Sequence, residues 1–135
     1  MTKIAICIVL GALLGGFTSK YFVERTEEQH RHTRSVMTLL FFHQDRMENA
    51  GRAGHCADFA AEHARLVMLQ PEIALAFPKA YQQEADFKKK ADGLATTLQS
   101  VAYSDATPSA CPDAFKRADH VADACDACHK VYDPH

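Results

Sequence analysis

The sequence predicts an all-α protein, and three observations support this. Long alanine-rich segments carry apolar residues at helical spacing, segments with strand-like alternation are few, and the 135 residues include only six glycines and no tryptophan. A chain of this length forms one domain whose core can enclose a cofactor. We therefore expect an antiparallel up-down-up-down four-helix bundle, preceded by an N-terminal transmembrane or signal-anchor helix.

The N-terminal segment has the composition of a membrane anchor. After a short positive start, 4–17 is an uninterrupted run of apolar residues and glycine, which is the length of the hydrophobic region of a signal peptide. Apolar character resumes after Lys20, so that 4–23 would span about 30 Å as a helix, with a lysine that can extend toward the membrane surface. No convincing small-residue cleavage pattern follows the run. We favour an uncleaved anchor over 1–23, rather than a cleaved signal peptide, and assign 24–135 to the helical domain.

Four helices are expected in this domain. They cover 24–50, 56–70, 79–103 and a last segment from Cys111 or Pro112 to about Tyr132. Gly51 and Gly54 punctuate the end of the first helix. Pro71 and Pro78 lie before and after 73–77, where the second helix is expected to end irregularly. Short connections between consecutive helices favour antiparallel neighbours.

The last helix carries Cys125, Cys128 and His129 as a C-x-x-C-H motif. In this motif two thiols add to the haem vinyl groups, and the adjoining imidazole becomes the proximal iron ligand. A redox-active dithiol normally follows a strand and opens a helix, whereas this motif closes a helical chain. Half of a zinc site would need a second ligand pair at short spacing. The remaining cysteines provide no such pair: Cys7, Cys56 and Cys111.

The four predicted helices, with C-x-x-C-H on the last of them, resemble the class II c-type cytochromes, the cytochrome c′ family. The strongest part of the likeness is 125–132, which is similar to the family's C-x-x-C-H-x-x-aromatic ending. Weaker parts are 76–78, similar to the Phe-Pro that closes the family's second helix, and 33–37 on the first. The resemblance implies one covalent haem c, with Tyr132 packed near it. The family usually has arginine where this chain has Asp133, so the role of that arginine is not carried over.

A distal iron ligand is expected from the first helix. In an antiparallel bundle Met37 can face His129 across a haem, which would make the iron six-coordinate. In the family this position holds methionine in electron-transfer members and an apolar residue in five-coordinate, gas-binding members. An ordinary core methionine is the alternative. Other candidate ligands on the same helix are His30, His32 and His43, although each is also compatible with an exposed surface histidine.

Two further contacts are predicted from position in the bundle. Arg34 lies one turn from Met37, where its guanidinium can meet a haem propionate; a surface ion pair is the alternative. Cys56 and Cys111 open the second and fourth helices at the same end of the bundle. An oxidising compartment favours a disulfide between them over two separate buried thiols. Cys7, inside the anchor, is expected to be a small apolar residue there.

Charge and compartment restrict the function. With 15 basic and 17 acidic residues the formal charge is −2, so no nucleic-acid surface is expected, and 88–90 is interpreted as a solvated helix face. Haem attachment takes place outside the cytoplasm, so the domain is expected to face the periplasm from the inner membrane. We expect an electron carrier, not an enzyme, that exchanges electrons with a redox protein or a larger membrane complex. The alternatives are a five-coordinate binder of nitric oxide or carbon monoxide and a structural subunit. The resemblance also implies a possible homodimer.

Overall fold

The computed structural model describes residues 2–105 and 108–132, with side chains described at Arg25 and from Glu27 onward. Within these ranges the chain is helical and contains no strand, which confirms the all-α prediction. Six helices are present in the described ranges: α1 (Thr2–Ala53), α2 (Cys56–Leu69), α3 (Glu72–Ala76), α4 (Lys79–Gln82), α5 (Ala85–Val101) and α6 (Ala114–His129).

Helix α1 is continuous over 52 residues and is therefore about 78 Å long. It passes through the boundary that the sequence prediction placed between the anchor and the domain. From Gly16 to Gly51 the chain contains no intervening glycine or proline, and this accounts for the uninterrupted helix. The side chains of the anchor predicted over 1–23 lie outside the described residues. Among the residues that are described, no helix combines the length and apolar character needed to cross a membrane.

Each long helix buries one stripe of side chains. Helices α1 and α5 contribute the most residues to the apolar core. Their buried stripes are Val36, Leu40, Met47 and Ala50 on α1, and Phe87, Ala91, Leu94, Leu98 and Val101 on α5. These positions recur every three, four or seven residues, which is the spacing of one face of a helix. Burying a large apolar side chain contributes about 1.5–3 kcal/mol, so these stripes hold the helices together.

Helix α1 runs antiparallel to the segment that contains α2 and α3. Near the end of α1, Arg46 donates from Nε to Oε1 of Glu62 on α2 at 2.8 Å. Earlier in α1, the Thr33 hydroxyl donates to the carbonyl of Ala76 at the end of α3 at 2.5 Å. Because later residues of α1 meet earlier residues of the second segment, the two must run in opposite directions.

Helix α5 is antiparallel to both α2 and α6. His63 Nε2 donates to the carbonyl of Leu98 at 2.8 Å, and Gln70 Nε2 donates to the carbonyl of Ala91 at 3.0 Å. On the other side of α5, Arg117 near the start of α6 donates to the carbonyl of Val101 at 3.0 Å, and Tyr132 just after α6 lies 3.3 Å from Asp86 near the start of α5. The four long helices therefore make antiparallel contacts in the order α1, α2, α5, α6.

The backbones of α1 and α6 approach each other closely at Gly51. A Cβ atom on this residue would lie 3.0 Å from the carbonyl carbon of Ala114 and 3.0 Å from the amide nitrogen of Phe115. Such distances are shorter than ordinary van der Waals contact, so the close approach of α6 to the end of α1 requires glycine here. By contrast, a Cβ on Gly93 of α5 would meet nothing within 4 Å.

A buried carboxylate joins α1 to α2. Glu62 is 2% exposed and accepts hydrogen bonds from His43 Nδ1 at 2.6 Å, from Arg46 at 2.8 Å and from Arg65 at 2.6 Å. Burial alone would raise the pKa of Glu62, but the hydrogen bonds from these three donors outweigh it, so its pKa lies below the ordinary value. The carboxylate is therefore ionised and fully paired inside the protein.

The predicted third helix was wrong as a single element. The structure divides 79–103 into α4 and α5, with Glu84 in an extended conformation at φ −74° and ψ 129°. No glycine or proline marks this break in the sequence. It is held by contacts from elsewhere: Gln82 Nε2 donates to the carbonyl of Phe77 at 2.6 Å, and the Tyr132 hydroxyl donates to Glu84 at 2.8 Å.

The fourth helix is also shorter than predicted. It begins at Ala114 because Asp113 has a left-handed conformation, at φ 58° and ψ 20°, which aspartate tolerates better than most residues. Just before this turn, Cys111 forms a disulfide with Cys56 at the start of α2, with a Cα–Cα distance of 5.4 Å. The bridge closes a loop of 55 residues, and in the chain-entropy model such a loop contributes about 4 kcal/mol.

Candidate functional site

The C-x-x-C-H motif forms the last turns of α6. Cys125, Cys128 and His129 are related by three and four residues, which places them on one face of the helix. Two of the last carbonyls of the helix are satisfied by residues that follow it: the amide of Lys130 donates to the carbonyl of Asp126 at 3.0 Å, and the amide of Tyr132 donates to that of Cys128 at 2.9 Å. The three side chains are thus carried by a regular helix whose end is fixed.

These three residues and Met37 of α1 line a single cavity. Its volume is about 180 Å³, and it is partly open to solvent. Apolar side chains form much of its wall: Leu40, Phe41, Ile73, Ala91 and Leu94. A mostly apolar space with a few convergent polar groups is the usual form of a cofactor pocket. The structure therefore brings two thiols, an imidazole and a thioether from distant parts of the sequence to one apolar space.

Met37 is the predicted distal ligand that reaches this cavity. It is half-buried, and it lies on the same part of α1 as the cavity residues Leu40 and Phe41. His30 and His32 are exposed and do not line the cavity. His43 also lies outside the lining.

The structure places Arg34 and Tyr132 away from the cavity wall. Arg34 is exposed and is not among the lining residues. Tyr132 is buried, and its ring packs edge-on against Phe87 at 5.3 Å and Tyr81 at 5.4 Å between ring centroids. Tyr132 thus packs the segment that follows α6 against Phe87 and Tyr81, and it is not among the residues that line the cavity.

The two motif thiols are kept protonated by their surroundings. Burial, with smaller contributions from the Asp126 and Cys128 charges, raises the pKa of Cys125 to about 11. Burial also raises the pKa of Cys128, although the Lys90 charge acts in the opposite direction. Redox-active C-x-x-C pairs depend on a lowered thiol pKa, so this environment argues against a thioredoxin-like dithiol.

The donor set fits a covalently bound haem. Thiols attach to its vinyl groups, imidazole and thioether are both established axial ligands of haem iron, and an apolar wall suits the faces of the macrocycle. A zinc centre fits less well, because no group of three or more His, Cys, Asp or Glu side chains is arranged to hold a metal ion in the described part of the chain.

One cavity residue was missed from the sequence. Lys90 was interpreted as part of a solvated run of lysines, but it lines the cavity and its side chain is only 23% exposed. The signal was its register, since Lys90 follows Phe87 by three residues and precedes Leu94 by four, on the edge of the buried face of α5. A charged residue at an edge position of an apolar stripe is a candidate for a site.

Comparisons of this chain with protein-family models, with curated proteins and with solved structures find no match.

Proposed function

We propose that this protein is a monohaem c-type cytochrome that carries single electrons. The observation that supports this most strongly is the shared cavity of Cys125, Cys128, His129 and Met37. The antiparallel contacts in the order α1, α2, α5, α6 support a four-helix bundle as its framework. The protein transforms no substrate and is therefore a carrier or a redox subunit rather than an enzyme.

Each cavity residue has a separate role in this proposal. Cys125 and Cys128 hold the cofactor through thioether bonds, which prevent its loss. His129 on α6 and Met37 on α1 would bind the haem iron. Haem bound in this way supplies a one-electron couple at its iron. The apolar side chains of Leu40 and Leu94 exclude water from the faces of the site.

The proposal includes a membrane anchor over 1–23 and a haem domain that faces the periplasm from the inner membrane. The continuity of α1 supports a rigid connection between the two parts. Met37 follows residue 23 by 14 residues, or about 21 Å along the helix axis. A site at that height suits electron exchange with a membrane complex, or with a soluble redox protein that docks beside it.

The first experiment is to produce the chain together with a c-type haem maturation system and measure its haem content. The pyridine haemochrome spectrum is expected to report one haem per chain, which acidic acetone does not extract because it is covalently bound. Cys125→Ala together with Cys128→Ala should abolish this retention. The matched control, Cys56→Ala together with Cys111→Ala, should retain the haem. Haem that is extracted equally from all three proteins would contradict the proposal.

A second candidate is a five-coordinate protein that binds nitric oxide or carbon monoxide. It is favoured by the apolar side chains of Leu40 and Phe41, which line the cavity about one turn after Met37 and offer no ligand. If the Met37 thioether does not bind the iron, that wall encloses an open position suited to a small apolar gas. Carbon monoxide binding by the unmodified reduced protein would favour this candidate.

A further inference from the structure

A single lysine places a positive charge on the wall of the cavity. Lys90 is the only lysine or arginine that lines it in the described part of the chain, and its side chain is 23% exposed. It lies on α5, while Cys128 and His129 lie on α6, and all three residues line the same cavity. Its neighbours Lys88 and Lys89 are exposed and do not line the cavity.

The ammonium group of Lys90 lies beside a carboxylate. Its Nζ atom lies 4.0 Å from Oδ2 of Asp86, one helical turn earlier on α5. The same oxygen is 3.3 Å from the Tyr132 hydroxyl, which also lies 2.8 Å from Oε2 of Glu84. A continuous set of polar contacts therefore runs from the cavity wall to the residue three positions after His129.

The Tyr132 end of this set is rigid. The residue is 6% exposed, and its ring is packed against Phe87 and Tyr81. Hydrogen bonding to Glu84, together with burial and the two carboxylate charges, raises the pKa of Tyr132 well above its usual range. Its hydroxyl therefore stays protonated, and it can donate its one proton to Glu84, the nearer carboxylate, or to Asp86.

A partly buried charge at this place acts on a redox group in the cavity. Its field is screened less than that of a surface lysine, because water covers only part of the side chain. The other charged lining residue on this wall is Asp126, whose carboxylate is exposed and acts with the opposite sign. A haem iron carries one more positive charge when oxidised than when reduced, so a nearby ammonium group disfavours the oxidised state.

We propose that Lys90 tunes the redox potential of the haem in this cavity toward the reduced state, and that Asp86 and Tyr132 are positioning residues that hold its ammonium group there. The inference rests on the proposed function, since it requires a haem between α1 and α6. It adds a residue that neither the C-x-x-C-H motif nor the axial ligands include.

The test is a redox titration of the covalently loaded protein, followed by absorption, with haem content measured separately. In Lys90→Gln the ratio of reduced to oxidised protein at a fixed potential should fall at least about threefold, which is about 28 mV at 59 mV per tenfold for one electron. In Lys90→Arg, which keeps the charge, the ratio should be close to that of the unmodified protein. Lys88→Gln changes the net charge by the same amount, and its ratio of reduced to oxidised protein should equal that of the unmodified protein.

Positioning by Tyr132 is tested by coupling. Tyr132→Phe keeps the ring and removes the hydroxyl, so it should shift the ratio in the same direction as Lys90→Gln but less. In a variant that combines Lys90→Gln with Tyr132→Phe, the loss of the hydroxyl should cause no further shift of the ratio, because there is no ammonium group left to position. Full additivity of the two shifts would overturn the positioning role.

Two outcomes separate this inference from the proposed function. If the unmodified chain carries covalent haem but Lys90→Gln titrates like Lys88→Gln, the role of Lys90 is overturned and the proposed function stands. If the unmodified chain carries no covalent haem, the proposed function itself fails and this inference falls with it.

Discussion

Met37 on α1 and His129 on α6 line the same cavity, although one lies in the first third of the chain and the other at its end. This relationship follows from the antiparallel contact of the two helices. At one end of that contact Gly51 meets Ala114. Toward the other end, the approach brings the turn of α1 that contains Met37 to the last turn of α6. The cavity between them is where we place the haem.

Met37→Ala should open one axial position. If the thioether binds the iron, its removal leaves a five-coordinate, high-spin centre that binds carbon monoxide when reduced. Absorption spectra with and without carbon monoxide measure this. Met68→Ala is a matched control, because Met68 is 71% exposed and lies outside the cavity. Identical spectra for Met37→Ala and the unmodified protein would exclude Met37 as a ligand.

Two glycine substitutions should have opposite effects on stability. Gly51→Ala should lower the free energy of unfolding by about 1–3 kcal/mol, because its Cβ meets the backbone of α6. Gly93→Ala has free space around it and should raise the free energy of unfolding by about 0.5–1 kcal/mol through better helix propensity. Thermal or urea unfolding of both variants gives the comparison. A stabilised Gly51→Ala would show that α6 can move away from α1 at little cost.

Loss of the buried carboxylate should weaken the contact between α1 and α2. Glu62→Gln should reduce the free energy of unfolding at neutral pH by about 1–3 kcal/mol, since it removes the charge that three donors share. The pKa of Glu62 is lower in the folded state than its ordinary value of 4.5. Its contribution is therefore fully present above about pH 4.5 and is lost as the pH falls through the lower, folded-state pKa.

Urea unfolding from neutral to acidic pH checks this sign. The stability difference between the unmodified protein and Glu62→Gln should shrink as the medium becomes acidic. A difference that grows toward low pH would mean that the Glu62 pKa is raised in the folded protein, contrary to the paired geometry. Asp58→Asn is a suitable control, because Asp58 lies on the same helix with its side chain 70% exposed.

Removal of the disulfide should destabilise the fold without changing the haem site. Replacing Cys56 and Cys111 with alanine should lower the free energy of unfolding by about 4 kcal/mol in the chain-entropy model. The bridge lies near the start of α6 and the motif at its end, about 24 Å along the helix. The absorption spectrum of the loaded protein should therefore stay the same. A changed spectrum would mean that the two ends of α6 are coupled.

The sequence predicted the features that depend on local patterns. The second helix was expected over 56–70 and is observed as Cys56–Leu69, because Gly54 and Pro71 mark its limits. The C-x-x-C-H motif was recognisable from spacing alone. The proximity of Cys56 to Cys111 followed from placing the starts of two helices at the same end of the domain.

The features that depend on distant contacts were not predictable in this way. The break between α4 and α5 carries no glycine or proline, and the Tyr132 hydroxyl that contacts Glu84 comes from the far end of the chain. Because its neighbours are lysines, the local sequence pattern places Lys90 in a solvated charge run. Its register with Phe87 and Leu94 separates it from Lys88, but the cavity that this register faces is formed only when α5 packs against α6.

We propose a haem that is held by Cys125, Cys128 and His129, with Met37 on the other side of the iron. The most direct measurement is the absorption spectrum of the purified protein in three states: oxidised, reduced, and reduced under carbon monoxide. We expect sharp low-spin bands in the reduced protein that carbon monoxide leaves unchanged, with a weak near-infrared methionine–iron band in the oxidised protein. Broad high-spin bands that shift with carbon monoxide would contradict Met37 ligation, and the absence of haem bands would contradict the account as a whole.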